Sequence, residues 1–176
     1  ALVVGEDNVD LGIKIKLDNP KEVGADRLVN GVAAHIKYGG PMIIIDFGTA
    51  TTFDVIDEDG DYCGGIISPG VNLSVEALHM AAAKLPRVAV EKPEKVIGTG
   101  TVTAIQSGIF WGYVGLVEGV VRRIKAEFAA THKGAEMKVL ATGGLAPLFF
   151  DEIPDMEAVD QELTTYGLSE IYTRNS

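Results

Sequence analysis

Asp46-Phe47-Gly48-Thr49-Ala50-Thr51-Thr52 follows an apolar run, Ile43-Ile44-Ile45. A glycine two residues past an aspartate lets the backbone turn sharply with its N–H groups exposed. Thr49, Thr51 and Thr52 add hydroxyl donors. Such a turn suits phosphate oxygens, and Asp46 suits a cation beside them. An ordinary hairpin turn with a polar cap fits the same residues. A protein-kinase Asp-Phe-Gly is excluded, because the chain has no G-x-G-x-x-G and no H-R-D. The second group, Gly24-Ala25-Asp26-Arg27, stands where a helix should open. The helix dipole favours an ionised Asp26 there, by about 0.3–1 kcal/mol. A carboxylate so placed can accept a hydroxyl proton during phosphoryl transfer. Arg27 can grip a carboxylate or phosphate through two parallel hydrogen bonds. A favourable first-turn aspartate beside an exposed arginine is the structural alternative.

Two further groups are weaker alone. Gly64-Gly65-Ile66-Ile67-Ser68-Pro69-Gly70 leads into Ser74-Val75-Glu76-Ala77-Leu78, and glycine pairs in strands mark close backbone approach. Ala141-Thr142-Gly143-Gly144-Leu145 joins a strand to a helix, where paired glycines admit a phosphate or flat ligand. His35, His79 and His132 lack the spacing of a metal site. One cysteine with scattered histidines is not a nucleophile arrangement, and G-x-S-x-G is absent.

The elements that must hold these groups follow from hydrophobic period and breakers. Alternation over 9–17 predicts a strand, and helical spacing predicts a helix over 24–37. Gly39-Gly40-Pro41 ends that helix and marks a domain boundary. Strands are expected at 42–46, 51–57 and 62–67, with an Asp59-Gly60 hairpin turn between the last two. Ser68-Pro69-Gly70 opens a helix through Ala83, with Pro69 at its start, then come a proline-containing loop and a long helix over 101–131. Strand 138–142, a helical turn at 145–149, a short strand at 156–159 and a helix over 161–172 complete the order. From residue 42 this is β-β-β-α-α-β-α-β-α, a mixed sheet flanked by helices. That α/β plan is the ribonuclease-H-like one shared by actin-like and sugar-kinase-like phosphotransferases.

Composition narrows the function. The 176 residues carry 25 acidic and 15 basic side chains, a formal charge of −10. Nucleic-acid binding through bulk charge and a polybasic membrane anchor are both disfavoured. The uncharged stretch 102–117 falls short of the roughly 18–20 apolar residues of a span. A single Cys63 suits a reducing, cytoplasmic compartment. Within the long helix, Gly108, Gly112, Gly115 and Gly119 fall on one face. Each costs about 1 kcal/mol relative to alanine, so a closely approaching backbone is expected. That backbone could belong to a partner subunit or to the sheet of the same domain.

In this order and spacing the groups resemble the type III pantothenate kinases of bacteria. The stretches that carry the resemblance are NPKEVGADRLVNGVAA, IIIDFGTATTFDVID, GGIISPGVNLSVEAL, GTGTVTAIQSGIFWGYVGLVEGVVRRIK and LATGGLAPL. The resemblance implies ATP-dependent phosphorylation of pantothenate, the first step of coenzyme A synthesis, with magnesium accompanying ATP. It implies Asp26 as the base that takes the hydroxyl proton. Gly24, Ala25, Asp26, Arg27 and Thr101 would contact pantothenate. Asp46 would be the metal-site residue, binding a monovalent cation, potassium or ammonium. Gly48 and Thr49 would meet ATP, and Gly143 and Gly144 would lie near its adenosine. A homodimer is implied, and neither nucleic acid nor membrane. Residues 1–40 would be the end of a first ribonuclease-H-like domain, and 41–176 a second. Two departures stand out. Leu17 occupies the position, seven before Gly24, where the family has a tyrosine. The family's first phosphate turn, Asp-x-Gly-Asn-Thr, does not occur in residues 1–23, which would place it ahead of Ala1. The competing readings are a non-catalytic transcriptional accessory protein on the same fold, and another sugar-kinase-like or phosphatase enzyme.

Overall fold

A computed structural model describes residues 3–6, 8–82 and 84–176. Helix α1 spans Ala25–Tyr38, with strands β1 (Met42–Phe47), β2 (Ala50–Ile56) and β3 (Tyr62–Pro69) after it. Next come α2 (Val71–Ala81), α3 (Thr101–Thr131), β4 (Lys138–Thr142), α4 (Ala146–Phe150), β5 (Ala158–Val159) and α5 (Leu163–Arg174). The sheet order is β3-β2-β1-β4-β5. β1 pairs antiparallel with β2, and β2 with β3, while β4 runs parallel to both β1 and β5. This is the mixed ribonuclease-H-like sheet expected from the element order.

Strand alternation sorts the sheet into two faces. Ile43, Ile45, Phe47 and Phe53 pack with Phe110, Val117 and Val121 of α3 and with Phe149 of α4. Met42, Ile44 and Ile56 point the other way, onto Leu28, Val29, Val32 and Ala33 of α1 and Ile171 of α5. Asp46 and Asp54 share the period of this second group, so β1 and β2 aim both carboxylates toward α1. Gly167 of α5 has no room for a side chain against Val29 and Ala33, which is how α1 and α5 come to lie side by side.

Most expected elements stand within a few residues of their places. Residues 9–17 are a correction. Bends fall at Gly12, Ile13 and Leu17, and among the described residues the segment's only ladder contact is one bridge, Ile15 to Tyr62. Lys16 donates its N–H to the Tyr62 carbonyl, and Tyr62 donates to that of Lys14, both at 2.8 Å. Gly12, at φ +70°, breaks the run before it. Pro69 is a second correction, since it ends β3 opposite Ala50 and Gly70 is the N-cap of α2. The expected end of that helix, Ala83, lies outside the described residues. By length and composition alone α3 could cross a membrane. Its Phe110, Val117 and Val121, all fully buried on the sheet, make it the central core helix instead.

Candidate functional site

Helix α1 opens at the carboxyl end of β1, bringing Gly24-Ala25-Asp26-Arg27 to the Asp46 turn. Asp26 is exposed, and among the described residues it has no hydrogen-bond or ion-pair partner. One turn on, Asn30 donates Nδ2 to Asp46 Oδ2 at 3.4 Å, and Thr164 of α5 orients that amide by donating to Asn30 Oδ1 at 2.7 Å. Burial pushes the Asp46 carboxyl above the usual carboxylate range, the Asp26 charge adds to it, and the Asn30 hydrogen bond opposes both. The two motif aspartates are therefore electrostatic neighbours.

Arg27 turns the other way, toward the sheet. Its Nε donates to Asp54 Oδ1 at 2.6 Å, and its guanidinium lies over the Tyr62 ring, 5.9 Å from the centroid. Tyr62 donates its hydroxyl to the same Oδ1 at 2.6 Å, and Thr52 approaches Oδ2 at 3.4 Å. Asp54 is 0% exposed. Burial pushes its carboxyl up, opposed by the Tyr62 hydroxyl and the Arg27 charge. Asp54 and Tyr62 were not singled out from sequence. The signal was a carboxylate at a core-facing position of Phe53-Asp54-Val55-Ile56, where an unpaired charge would be costly.

Gly143, the turn after β4, comes directly against β1. Its φ is +91°, and a Cβ there would stand 2.7 Å from both Asp46 Oδ1 and the Phe47 carbonyl oxygen. A carboxylate oxygen and a carbonyl oxygen thus share one small space that a side chain would fill. Oxygen donors of this kind fit a hard cation. Gly144 is different, since nothing lies within 4 Å of a Cβ added to it. Gly48 and Thr49 form the exposed β1–β2 turn. Gly70 packs on the carbonyls of both, so α2, whose N-terminus no side chain caps, begins at that turn.

Thr101 is not gathered with these groups. It begins α3 and lines a cleft with Leu78, Leu85 and Ile105. Another cavity, about 360 Å³, lies between β3 and the far end of α3, lined by Cys63, Arg123, Glu127 and His132. It contains none of the residues expected at the site. Burial pushes the Cys63 thiol up to about 11, so it is protonated at neutral pH.

The model of the family described as type III pantothenate kinase matches residues 1–123. The chain is 67% identical over 175 residues to a type III pantothenate kinase of Paramagnetospirillum magneticum, covering 99% of this chain and 65% of that one. It is 62% identical over 174 residues to one from Rhodospirillum rubrum, covering 99% and 66%. The chain thus spans just under two thirds of the length of these relatives. A chain from Campylobacter jejuni, solved as a candidate Baf family transcriptional activator, superposes with a TM-score of 0.62 at 21% identity. That superposition covers 94% of this chain and 70% of the other, and it speaks to the fold alone. With the family match running through α1, the Asp46 turn and the glycine-lined half of α3, the chain belongs to the type III pantothenate kinase family.

Proposed function

We propose that the protein carrying this chain transfers the γ-phosphoryl group of ATP to the primary hydroxyl of pantothenate, giving 4′-phosphopantothenate. The observation that carries this is the meeting of Asp26, Asp46 and Gly143 at one end of β1. Asp26, with no partner among the described residues, accepts the hydroxyl proton as the phosphoryl group arrives. Phosphoryl transfer asks little covalent chemistry of the protein, so positioning and charge carry the rate. Arg27 holds the anionic end of pantothenate, with Gly24 and Ala25 as further contacts. Gly48 and Thr49 meet the ATP phosphates beside the uncapped start of α2, and Gly143 and Gly144 flank the adenosine. Asp46 and the Phe47 carbonyl would hold potassium or ammonium, which would offset phosphate charge where two carboxylates otherwise repel it. Magnesium, accompanying ATP, supplies further neutralisation of the transferring group.

The same reading makes the protein a cytoplasmic homodimer joined along α3, with residues 1–40 ending one ribonuclease-H-like domain and 41–176 forming the next. Cβ atoms added to Gly108, Gly112 and Gly115 meet nothing within 4 Å. These glycines face away from their own sheet, and on this reading a second copy supplies the backbone they admit. The test is phosphorylation of pantothenate by the intact protein with ATP, in potassium and in sodium. Asp26→Asn keeps the shape and removes the proton acceptor, so transfer should fall by at least about a hundredfold with the melting temperature unchanged. An intact protein that binds pantothenate and ATP but transfers no phosphate would instead favour the accessory-protein reading.

A further inference from the structure

The Arg27 guanidinium is held more elaborately than an ion pair at the rim of a site requires. Asp54 sits in the middle strand of three, opposite Ile44 on β1 and Gly65 on β3. Gly65 leaves open the space above β3 that the guanidinium takes, since a Cβ there would lie against Arg27 Nη2. Tyr62, 1% exposed, spends its hydroxyl on the same carboxylate oxygen that accepts from Arg27 Nε. Yet Arg27 Nη2 is buried and has no hydrogen-bond partner among the described residues. A cationic donor left unsatisfied beside a fully paired Nε is costly, and folds retain such a group where a ligand will use it.

We propose that Asp54 and Tyr62 are positioning residues of the pantothenate site: together they fix the Arg27 guanidinium over Gly65 so that its remaining N–H donors are presented to the acceptor's carboxylate. Asp54 supplies the charge that fixes Nε. Tyr62 locks the Asp54 rotamer from below and offers its ring face to the cation. The lack of a side chain at Gly65 makes the arrangement possible. Neither Asp54 nor Tyr62 touches pantothenate, since both lie beneath Arg27 and act through it. The inference rests on the kinase reading above and adds to it the means by which the acceptor's anionic end is aimed.

The experiment is a mutant cycle in the intact protein, reading the pantothenate KM, the ATP KM and kcat separately. Asp54→Asn should raise the pantothenate KM by about tenfold, within the coupling range of contacting residues, and leave the ATP KM within about twofold. Tyr62→Phe, which keeps the ring and removes only the hydroxyl, should raise it by about threefold. In an Arg27→Ala background, Asp54→Asn should shift the pantothenate KM by less than about twofold, because the residue it acts through is gone. Equal effects in both backgrounds, or parallel rises in the two KM values, would overturn the positioning role and leave Asp54 as a core residue. Should Asp54→Asn fail to fold, an unchanged pantothenate KM in Tyr62→Phe would overturn it instead. A wild-type protein that turns over ATP but not pantothenate would overturn the kinase reading first, an outcome distinct from either.

Discussion

Gly143→Ala separates two glycines that look alike in Thr142-Gly143-Gly144-Leu145. At φ +91° an alanine pays for a left-handed backbone, about 1–3 kcal/mol. For a chain of this size each kcal/mol moves the melting temperature by about 2–4 °C, so a 2 kcal/mol strain gives a drop of about 4–8 °C. The second effect is local. The new methyl would begin 2.7 Å from Asp46 Oδ1 and from the Phe47 carbonyl oxygen. Favourable non-bonded separations are about 3.5–4.0 Å, so those oxygens must part by several tenths of an ångström or more. Disturbing the groups that orient a metal's ligands typically costs about 10–100-fold in affinity, so the potassium requirement should rise by a comparable factor. The assay is thermal unfolding of the intact protein together with the potassium concentration giving half-maximal phosphorylation. Gly144→Ala is the control, since its Cβ meets open space and its φ is not positive, and it should melt within about 0.5 kcal/mol of the parent. A Gly143→Ala protein with parental melting and potassium dependence would refute the shared-oxygen space at Asp46. Equal damage from both alanines would show that the Cβ contact is not what makes Gly143 necessary.

Asp46→Ala should weaken ATP binding and abolish the preference for potassium over sodium in steady-state kinetics, and undiminished activity in sodium alone would count against a cation there. Gly112→Leu adds a side chain where nothing stands within 4 Å and gains about 1 kcal/mol of helix propensity. It should fold well and sediment as a monomer, so a dimer of parental size would place the interface off α3. Asp160 accepts from Lys37 Nζ, from Tyr38 Oη at 2.9 Å and from the Glu162 N–H at 3.1 Å. Burial raises its carboxyl, but these partners outweigh it and hold the group below the ordinary 3.8. A depressed carboxyl contributes stability that is present above 3.8 and lost as pH falls through its folded value. Asp160→Asn should therefore melt lower at neutral pH, by about 1 kcal/mol, with the difference closing as pH falls below 3.8, which urea titration at several pH values would check.

Much of the fold was legible in the chain because its signals are local. Three apolar isoleucines before Asp46, helical spacing from Leu28 to Ile36, Asp59-Gly60, and the long apolar period after Gly100 each state their element without distant help. The boundaries of α3 and β4 coincide with those read from sequence. Residues 9–17 misled because alternation records which side chains face a core. It does not record whether a neighbouring strand is present to pair with, and here the ladder is one bridge.

The site divides in the same way. Asp26, Arg27, Asp46 and the glycine pair were visible as residue types at turns and helix starts, where local backbone chemistry suits anions and cations. What joins them was decided by the sheet. The parallel pairing of β1 with β4 sets Asp46 beside Thr142, and so brings Gly143 to its carboxylate from nearly a hundred residues away. The antiparallel register of β2 puts Asp54 between Ile44 and Gly65, under the first turn of α1. Composition offers no reason to prefer Gly143 to Gly144, or Asp54 to Asp57. Position in the folded sheet does, because buried charge and excluded Cβ volume are properties of neighbours that only tertiary packing supplies.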